Sequence, residues 1–325
     1  MKPMLIIAAF SFWSALFGYE AKMRVVDDTG APVQGANVAI EFVAPRQEQS
    51  VIYRGTTEKE GTFSAQGQSM LEVYMEAKKT GHYDARVYGL SPKKDHDLVV
   101  VIPRILNPVP LHAWDSRLGR SGRALHFTVQ NEWLGYDFEI GDWVSPRGKG
   151  KVADIRFRFR NRFKGWKHSD KDMANNRRVN SGASEDEIRG IYGKWDAEMD
   201  ISFPGEKEGL CEETRFLEYS QLKLPHNAPA EGYVPTWRYT SSSYSPRTAR
   251  ENVGFFLRTR VKLDEKGKIV SANYAKVVGD FQVDARGFVM FGYYFNPVAN
   301  DRNLEFDPKK NLFPANLPGA NVNDP

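Results

Sequence analysis

The sequence has little of what a disulfide-stabilised or metal-dependent protein needs. It contains one cysteine, Cys211, in 325 residues, so no intramolecular disulfide can form and stability has to come from burial of apolar side chains. The six histidines show no paired metal spacing, and there is no His-Glu-x-x-His motif, no Gly-x-Ser-x-Gly elbow and no glycine-rich phosphate loop. Zinc hydrolysis, serine hydrolase chemistry and nucleotide binding therefore have no support in the sequence.

Charge of one sign is also not in large excess. Lys and Arg number 45 against 41 for Asp and Glu. A dedicated nucleic-acid binder would concentrate basic residues on one face, so we expect no nucleic-acid partner. Apolar runs are short and evenly spaced, which favours strands over helices.

The longest apolar stretch lies at the start of the chain. Lys2 precedes the apolar residues 5–17, which is the layout of a secretory signal and is shorter than the roughly 20 residues that span a bilayer. We predict a signal peptide over residues 1–18 and a secreted, periplasmic or cell-surface location. If this signal is not cleaved, it would be the one expected contact with a membrane.

In residues 20–104, a pattern of tight-turn residues followed by a strand with alternating apolar residues occurs several times. The motifs are Asp-x-x-Gly-x-Pro-Val-x-Gly-Ala-x-Val from Asp27 to Val38, the turn at residues 57–63, and the corner at residues 77–83. This part of the sequence resembles the carboxypeptidase regulatory-domain-like family. The resemblance implies a prealbumin-like sandwich of about seven strands that acts as a non-catalytic accessory domain of exported enzymes, receptors and surface proteins.

A proline-rich connector, residues 103–110, separates this unit from a second unit at residues 111–325. The second unit is predicted to be a larger antiparallel β-sandwich or jelly roll, so the fold class is all-β. Its strand candidates are residues 124–130, 137–140, 152–163, 195–203, 216–224 and a meander over 252–298. Polar connections are expected at 164–190, with at most one helical turn near 185–189, and at 225–251. Stretches around 141–144 and 296–297 resemble uncharacterised exported bacterial proteins, and this resemblance implies no function.

Two of the candidate strands have complementary charges. Arginines alternate with apolar residues from Arg156 to Arg162, and Asp196, Glu198 and Asp200 alternate with apolar residues in the other strand. Like charges two residues apart on a strand lie roughly 7 Å from each other and need interleaved anions. We therefore predict that the two strands are neighbours and that their charges face each other across the ladder.

A functional interpretation of these acids is the alternative. Asp196, Glu198 and Asp200 could hold Ca²⁺, or could supply an acid and a base to a glycosidic bond. Aromatic residues in the long connections are a second set of candidates, because their ring faces could stack on a sugar or on a protein partner. They are Trp166, Trp237, Tyr239 and Tyr244, and closure of the core by these rings is the competing interpretation.

The sequence thus favours an exported, non-catalytic binding or structural protein without a required cofactor. Its partner is expected to be a polysaccharide or a surface protein. The alternative is a carbohydrate-active hydrolase or lyase whose acid and base lie on strands of the second unit.

Overall fold

A computed structural model describes residues 18–45, 49–118, 125–242 and 249–325. The chain divides into two compact units: Met1–Leu106 together with Leu217–Lys223, and Asn107–Phe216 together with Leu224–Pro325. Most of the predicted signal segment 1–18 lies outside the described residues. In the part of the chain that is described, no helix is long and apolar enough to cross a membrane.

The first unit is a sandwich of a three-stranded sheet, in the order β4-β1-β7, and a four-stranded sheet, in the order β3-β2-β5-β6. Strand β1 runs parallel to β7, and the other pairs are antiparallel. Alternate residues of each strand, such as Met23, Ile40, Met75 and Val87, meet in one apolar core. The strands are β1 Tyr19–Val26, β2 Asn37–Phe42, β3 Val51–Thr56, β4 Thr62–Gly67, β5 Val73–Lys78, β6 Ala85–Leu90 and β7 His96–Val101.

One segment of this unit comes from much later in the chain. Residues 216–224 were expected to form a strand of the second unit, but Leu217–Lys223 is a turn that belongs to the first. The amide of Arg86 donates to the carbonyl of Tyr219 at 2.8 Å, and the Tyr219 ring packs against the core.

The second unit is built from two five-stranded antiparallel sheets, β11-β10-β12-β13-β15 and β14-β16-β17-β20-β8, with a small sheet β18-β19-β9. Its strands are β8 His112–Asp115, β9 Leu125–His126, β10 Trp133–Asp137, β11 Asp142–Trp143, β12 Ile155–Trp166, β13 Gly193–Ser202, β14 Gly209–Glu213, β15 Thr236–Ser242, β16 Gly254–Leu263, β17 Ile269–Val278, β18 Gln282–Val283, β19 Phe288–Met290 and β20 Gly292–Asn296. The all-β prediction is therefore confirmed.

An aromatic-rich core fills the space between the two large sheets. Phe157 and Phe159 of the first sheet lie in the same buried cluster as Phe255 and Phe291. The second large sheet is buried on its other side too, where Phe256 and other residues form a further core. This double burial explains why β20 is apolar at successive positions.

The predicted meander is present as β16, β17 and β20, which are adjacent in the sheet. Two details differ from the sequence interpretation. Phe288–Met290 pairs in the small sheet instead of the large one. In addition, the register of β16 shifts between Thr259 and Lys262, and Arg260 in this bulge has a φ of 52°.

The connection between β12 and β13 contains two short helices, where at most one turn was predicted. They are α1 Asp170–Val179 and α2 Glu185–Tyr192. Ser169 caps α1 by accepting from the amide of Asp172, and Ser184 forms a capping box with Glu187. These serines are the sequence signal that the loop prediction overlooked.

Candidate functional site

The predicted ladder of opposite charges is confirmed on the outer side of the first large sheet. Strands β12 and β13 are antiparallel neighbours, with Arg158 opposite Asp200, Arg160 opposite Glu198, and Arg162 opposite Asp196. The guanidinium of Arg158 donates to Asp200 at 2.8 Å, and that of Arg160 donates to Glu198 at 2.8 Å. The alternating pattern of each strand was enough to predict the pairing and the facing charges, and the structure adds the register.

Asp200 is the centre of this ladder. Arg238 on β15 reaches the same carboxylate at 2.6 Å, and Arg160 lies 2.8 Å from it. Burial alone would raise the pKa of Asp200, but hydrogen bonds from Arg158 and Arg238 bring it below the ordinary value. Asp200 is therefore an ionised anchor for three arginines.

The carboxylates that were candidates for calcium or catalysis have cationic partners. Besides the pairs above, Lys164 lies 3.0 Å from Asp196, whose pKa is lowered by hydrogen bonds from Lys164 and Ser242. Among the described residues, no group of three or more His, Cys, Asp or Glu side chains is arranged to hold a metal ion. The calcium hypothesis for Asp196, Glu198 and Asp200 stays a prediction.

The aromatic candidates are not gathered into one site. Trp237 and Tyr239 lie on β15, in a stretch that was expected to be a loop, and both rings point to the core side. Tyr239 is only 7% exposed, so its ring closes the core. Trp166 ends β12, where the guanidinium of Arg177 lies 5.0 Å from its ring. Tyr244 falls outside the described residues.

A buried ion cluster around Arg260 is a feature that the sequence did not reveal. The bulge in β16 turns Arg260 towards two carboxylates, 2.7 Å from Asp154 and 3.3 Å from Asp137. It also contacts Glu139. Asp154 and Asp137 are 0% and 2% exposed, and burial raises the pKa of Asp154. A substrate could not reach these two acids, so the cluster holds the fold together.

The second unit has a cavity of about 460 Å³, which we call the tryptophan cavity. This volume lies within the range of small-ligand sites. Trp114 and Trp143 line its buried part, while His126 and Lys149 are exposed at its mouth. The other lining residues are Leu125, Ile140, Gly141, Asp142, Gly148, Leu317 and Pro318.

The walls of the tryptophan cavity are held by hydrogen bonds to the backbone. The indole of Trp114 donates to the carbonyl of Pro318 at 2.8 Å, and that of Trp143 donates to the carbonyl of His126 at 3.1 Å. Asp142 accepts from the amides of Trp143 and Lys149 at 2.8 and 3.0 Å. These hydrogen bonds hold both indoles and the turn at Asp142 in fixed positions.

A glycine is required at position 148, which lies in the wall of the tryptophan cavity. A Cβ at Gly148 would lie 2.3 Å from the carbonyl oxygen of Trp143 and 2.6 Å from Asp142. No side chain fits there, because these are contacts with the backbone and with a fixed carboxylate. The backbone at position 148 can therefore lie this close to Trp143 and Asp142 only if the residue is glycine.

Comparison with known proteins gives no family. No family model matches the chain, and no curated protein matches it. Among solved structures, a "putative carbohydrate binding protein" from Bacteroides uniformis is 8% identical, with a TM-score of 0.21, over 87% of this chain and 99% of the other. A Streptococcal ancillary pilin is 12% identical, with a TM-score of 0.20, over 68% of this chain and 58% of the other.

Proposed function

We propose that this is an exported, non-catalytic protein that binds carbohydrate in the tryptophan cavity. The first unit serves as an accessory domain, in keeping with its resemblance to carboxypeptidase regulatory-domain-like sandwiches. The observation that carries the proposal is the chemistry of the cavity, which combines an apolar lining over two buried tryptophans with a few polar groups at the mouth.

Each part of the cavity matches a part of a sugar. The exposed apolar lining, which includes Ile140 at 38% exposure, suits the C–H face of a pyranose ring, while Trp114 and Trp143 support it from the core. The carboxylate of Asp142 has lone pairs beyond those used by two amides, so it can accept from hydroxyl groups. His126 and Lys149 bring further polar groups to the mouth. An apolar floor with a small number of placed polar groups is the usual design of a small-ligand site.

Binding is favoured over hydrolysis because of the number of carboxylates. Glycosidases use a pair of Asp or Glu residues on either side of the scissile bond. Among the described lining residues of the tryptophan cavity, Asp142 is the one carboxylate. On β13, Glu198 and Asp200 are paired with arginines and Asp196 is paired with a lysine. Asp137 and Asp154 are buried with Arg260. None of these acids therefore belongs to an accessible, unpaired set of two carboxylates for turnover.

The test compares two lysines that are two residues apart. Lys149 lines the cavity, whereas Lys151 is exposed and is not one of the lining residues. We expect a glycan array probed with the wild-type protein to identify bound sugars, and Lys149→Ala to weaken that binding about tenfold while Lys151→Ala leaves it unchanged. No retention of any glycan, or equal loss in both variants, would refute a sugar site in this cavity.

The export proposal has a separate test. Expression of the full chain in a bacterial host, followed by fractionation and intact-mass measurement, should place the protein outside the cytoplasm and show loss of residues 1–18. A full-length cytoplasmic product would contradict export. It would not affect the binding proposal, which the glycan experiment tests separately.

A further inference from the structure

The outer side of the sheet β10-β12-β13-β15 is a second surface rich in charge, which we call the arginine face. Alternation sends Phe157 and Phe159 into the core and the even-numbered residues of β12 outward. Rows of facing side chains then run across the strands, one of them from Trp133 through Arg158 and Asp200 to Arg238. The charged members of the face are Arg156, Arg158, Arg160, Arg162, Arg238, Asp196, Glu198 and Asp200.

The arginine face has more cations than its own anions can neutralise. Five arginines face three carboxylates, and Lys164 adds a further cation at Asp196. Within the described residues, Arg156 and Arg162 are exposed, and neither guanidinium makes a hydrogen bond or an ion pair shorter than 4.0 Å. Arg162 faces Asp196 across the ladder and acts on it electrostatically from a longer distance. The face is therefore net positive, with two guanidinium groups available to a ligand while their neighbours are held in place.

An aromatic ring lies at the border of this face. Trp133 is 42% exposed, and the guanidinium of Arg158 lies 4.7 Å from its ring. Arg158 is fixed in turn by Asp200 at 2.8 Å. This chain of contacts holds the indole in position, so a flat ring can stack on its exposed part without a large entropy cost.

These features differ from what a single-stranded nucleic acid would need. Successive bases stack on successive aromatic side chains, whereas the phenylalanines of β12 point inward and Trp133 is the one exposed aromatic residue on this face among the described residues. A sugar acid needs less, namely guanidinium forks for its carboxylates and one ring face for stacking.

We propose that the arginine face binds an acidic polysaccharide through Arg156, Arg162 and Trp133. The carboxylates of a uronic acid chain recur at every sugar and pair with the two available guanidinium groups, while one sugar ring stacks on the indole. This surface shares no residue with the tryptophan cavity, so it goes beyond the function proposed above and does not depend on it.

The test uses polygalacturonate as the probe and a charge-matched control. Arg156→Ser with Arg162→Ser removes two cations from the arginine face, and Lys266→Ser with Lys268→Ser removes two exposed cations from the turn between β16 and β17. Affinity electrophoresis and calorimetry of the full chain should show the Kd for polygalacturonate rising about tenfold in the arginine double variant and staying constant in the lysine double variant. The wild-type affinity should also fall with added salt.

Further arms separate the sources of binding. Trp133→Ala should weaken polygalacturonate binding but leave binding of dextran sulfate, which depends on charge alone, nearly unchanged. A neutral dextran should not bind to this face. The proposal is overturned if polygalacturonate does not bind, if both double variants lose affinity equally, or if a single-stranded poly(dT) binds as tightly as polygalacturonate. Because all three altered residues on the face are exposed, the variants should keep the wild-type Tm within about 2 °C.

Discussion

Lys276 gives the sharpest prediction about the stability of this protein. It lies on β17 with its side chain 0% exposed, and its Nζ has no hydrogen-bond partner among the described residues. The ammonium lies 4.5 Å from the ring centroid of Tyr294, and Glu305 is the buried carboxylate that acts on it from a distance. Burial lowers the pKa of Lys276 from 10.5 to about 7, and Glu305 offsets only part of this effect.

The sign of the effect follows from the two pKa values. Because the pKa in the folded state lies below that of the unfolded chain, the unfolded chain binds more protons between pH 7 and 10.5. The penalty for burying Lys276 is therefore fully present below pH 7 and is relieved as the pH rises towards 10.5. The difference between the two pKa values corresponds to about 5 kcal/mol at 1.36 kcal/mol per pH unit, which we take as an upper bound.

We expect Lys276→Met to be more stable than the wild type at pH 6 to 7 by about 1 to 4 kcal/mol. Methionine fills most of the volume that the methylene groups of Lys276 occupy. The carboxylate of Glu305 still accepts a hydrogen bond from the amide of Asn107 at 2.6 Å. Urea denaturation from pH 6 to 10 should show the difference between wild type and variant shrinking as the pH rises. Lys266→Met, at an exposed position, is the control. A pH-independent difference, or a variant less stable than the wild type at pH 6, would refute the reasoning.

Three further predictions concern the second unit. Arg260→Met should cost about 3 to 5 kcal/mol in urea denaturation, because it leaves buried carboxylates without their cation; a loss below 1 kcal/mol would contradict this. Asp200→Asn should cost about 2 kcal/mol and Asp196→Asn less than about 1, since Asp200 alone is enclosed by three arginines. As the pKa of Asp200 is lowered in the folded state, the gap between these two variants and the wild type should narrow as the pH falls below about 4. A glycine inserted after Phe159 should abolish cooperative thermal unfolding, because every later side chain of β12 then points to the opposite side of the sheet. A glycine inserted after Gly165 is the control, and it should change the free energy of unfolding by less than about 1 kcal/mol because the register of β12 already shifts there.

The sequence predicted the structure well where the pattern within a single strand was sufficient. Arg156 to Arg162 and Asp196 to Asp200 each alternate with other residues, so the outward side of each strand and the pairing followed from local pattern. The first unit was expected to have about seven strands from its family resemblance, which rests on turns marked by glycine and proline, and the structure has seven strands there. In both cases the information lies within about ten residues of chain.

The sequence was uninformative where neighbours remote in the chain decide the outcome. Strand β15 was taken for a loop because Pro225, Pro229 and Pro235 precede it, although Trp237 and Tyr239 already alternate. The bulge that turns Arg260 inward depends on carboxylates more than 100 residues away. The tryptophan cavity assembles residues from Trp114 to Pro318, and nothing in local periodicity brings those together.

The paired charges of the arginine face bear on binding as well as on stability. Exposed ion pairs contribute little to folding free energy, so the ladder between β12 and β13 is a weak explanation of stability, apart from Asp200. Its larger consequence is that Arg158 and Arg160 are already immobilised before any ligand binds. The ladder therefore fixes the positions of the central charges of the arginine face. Arg156 and Arg162 stay mobile and can adjust to the spacing of the carboxylates on an acidic chain.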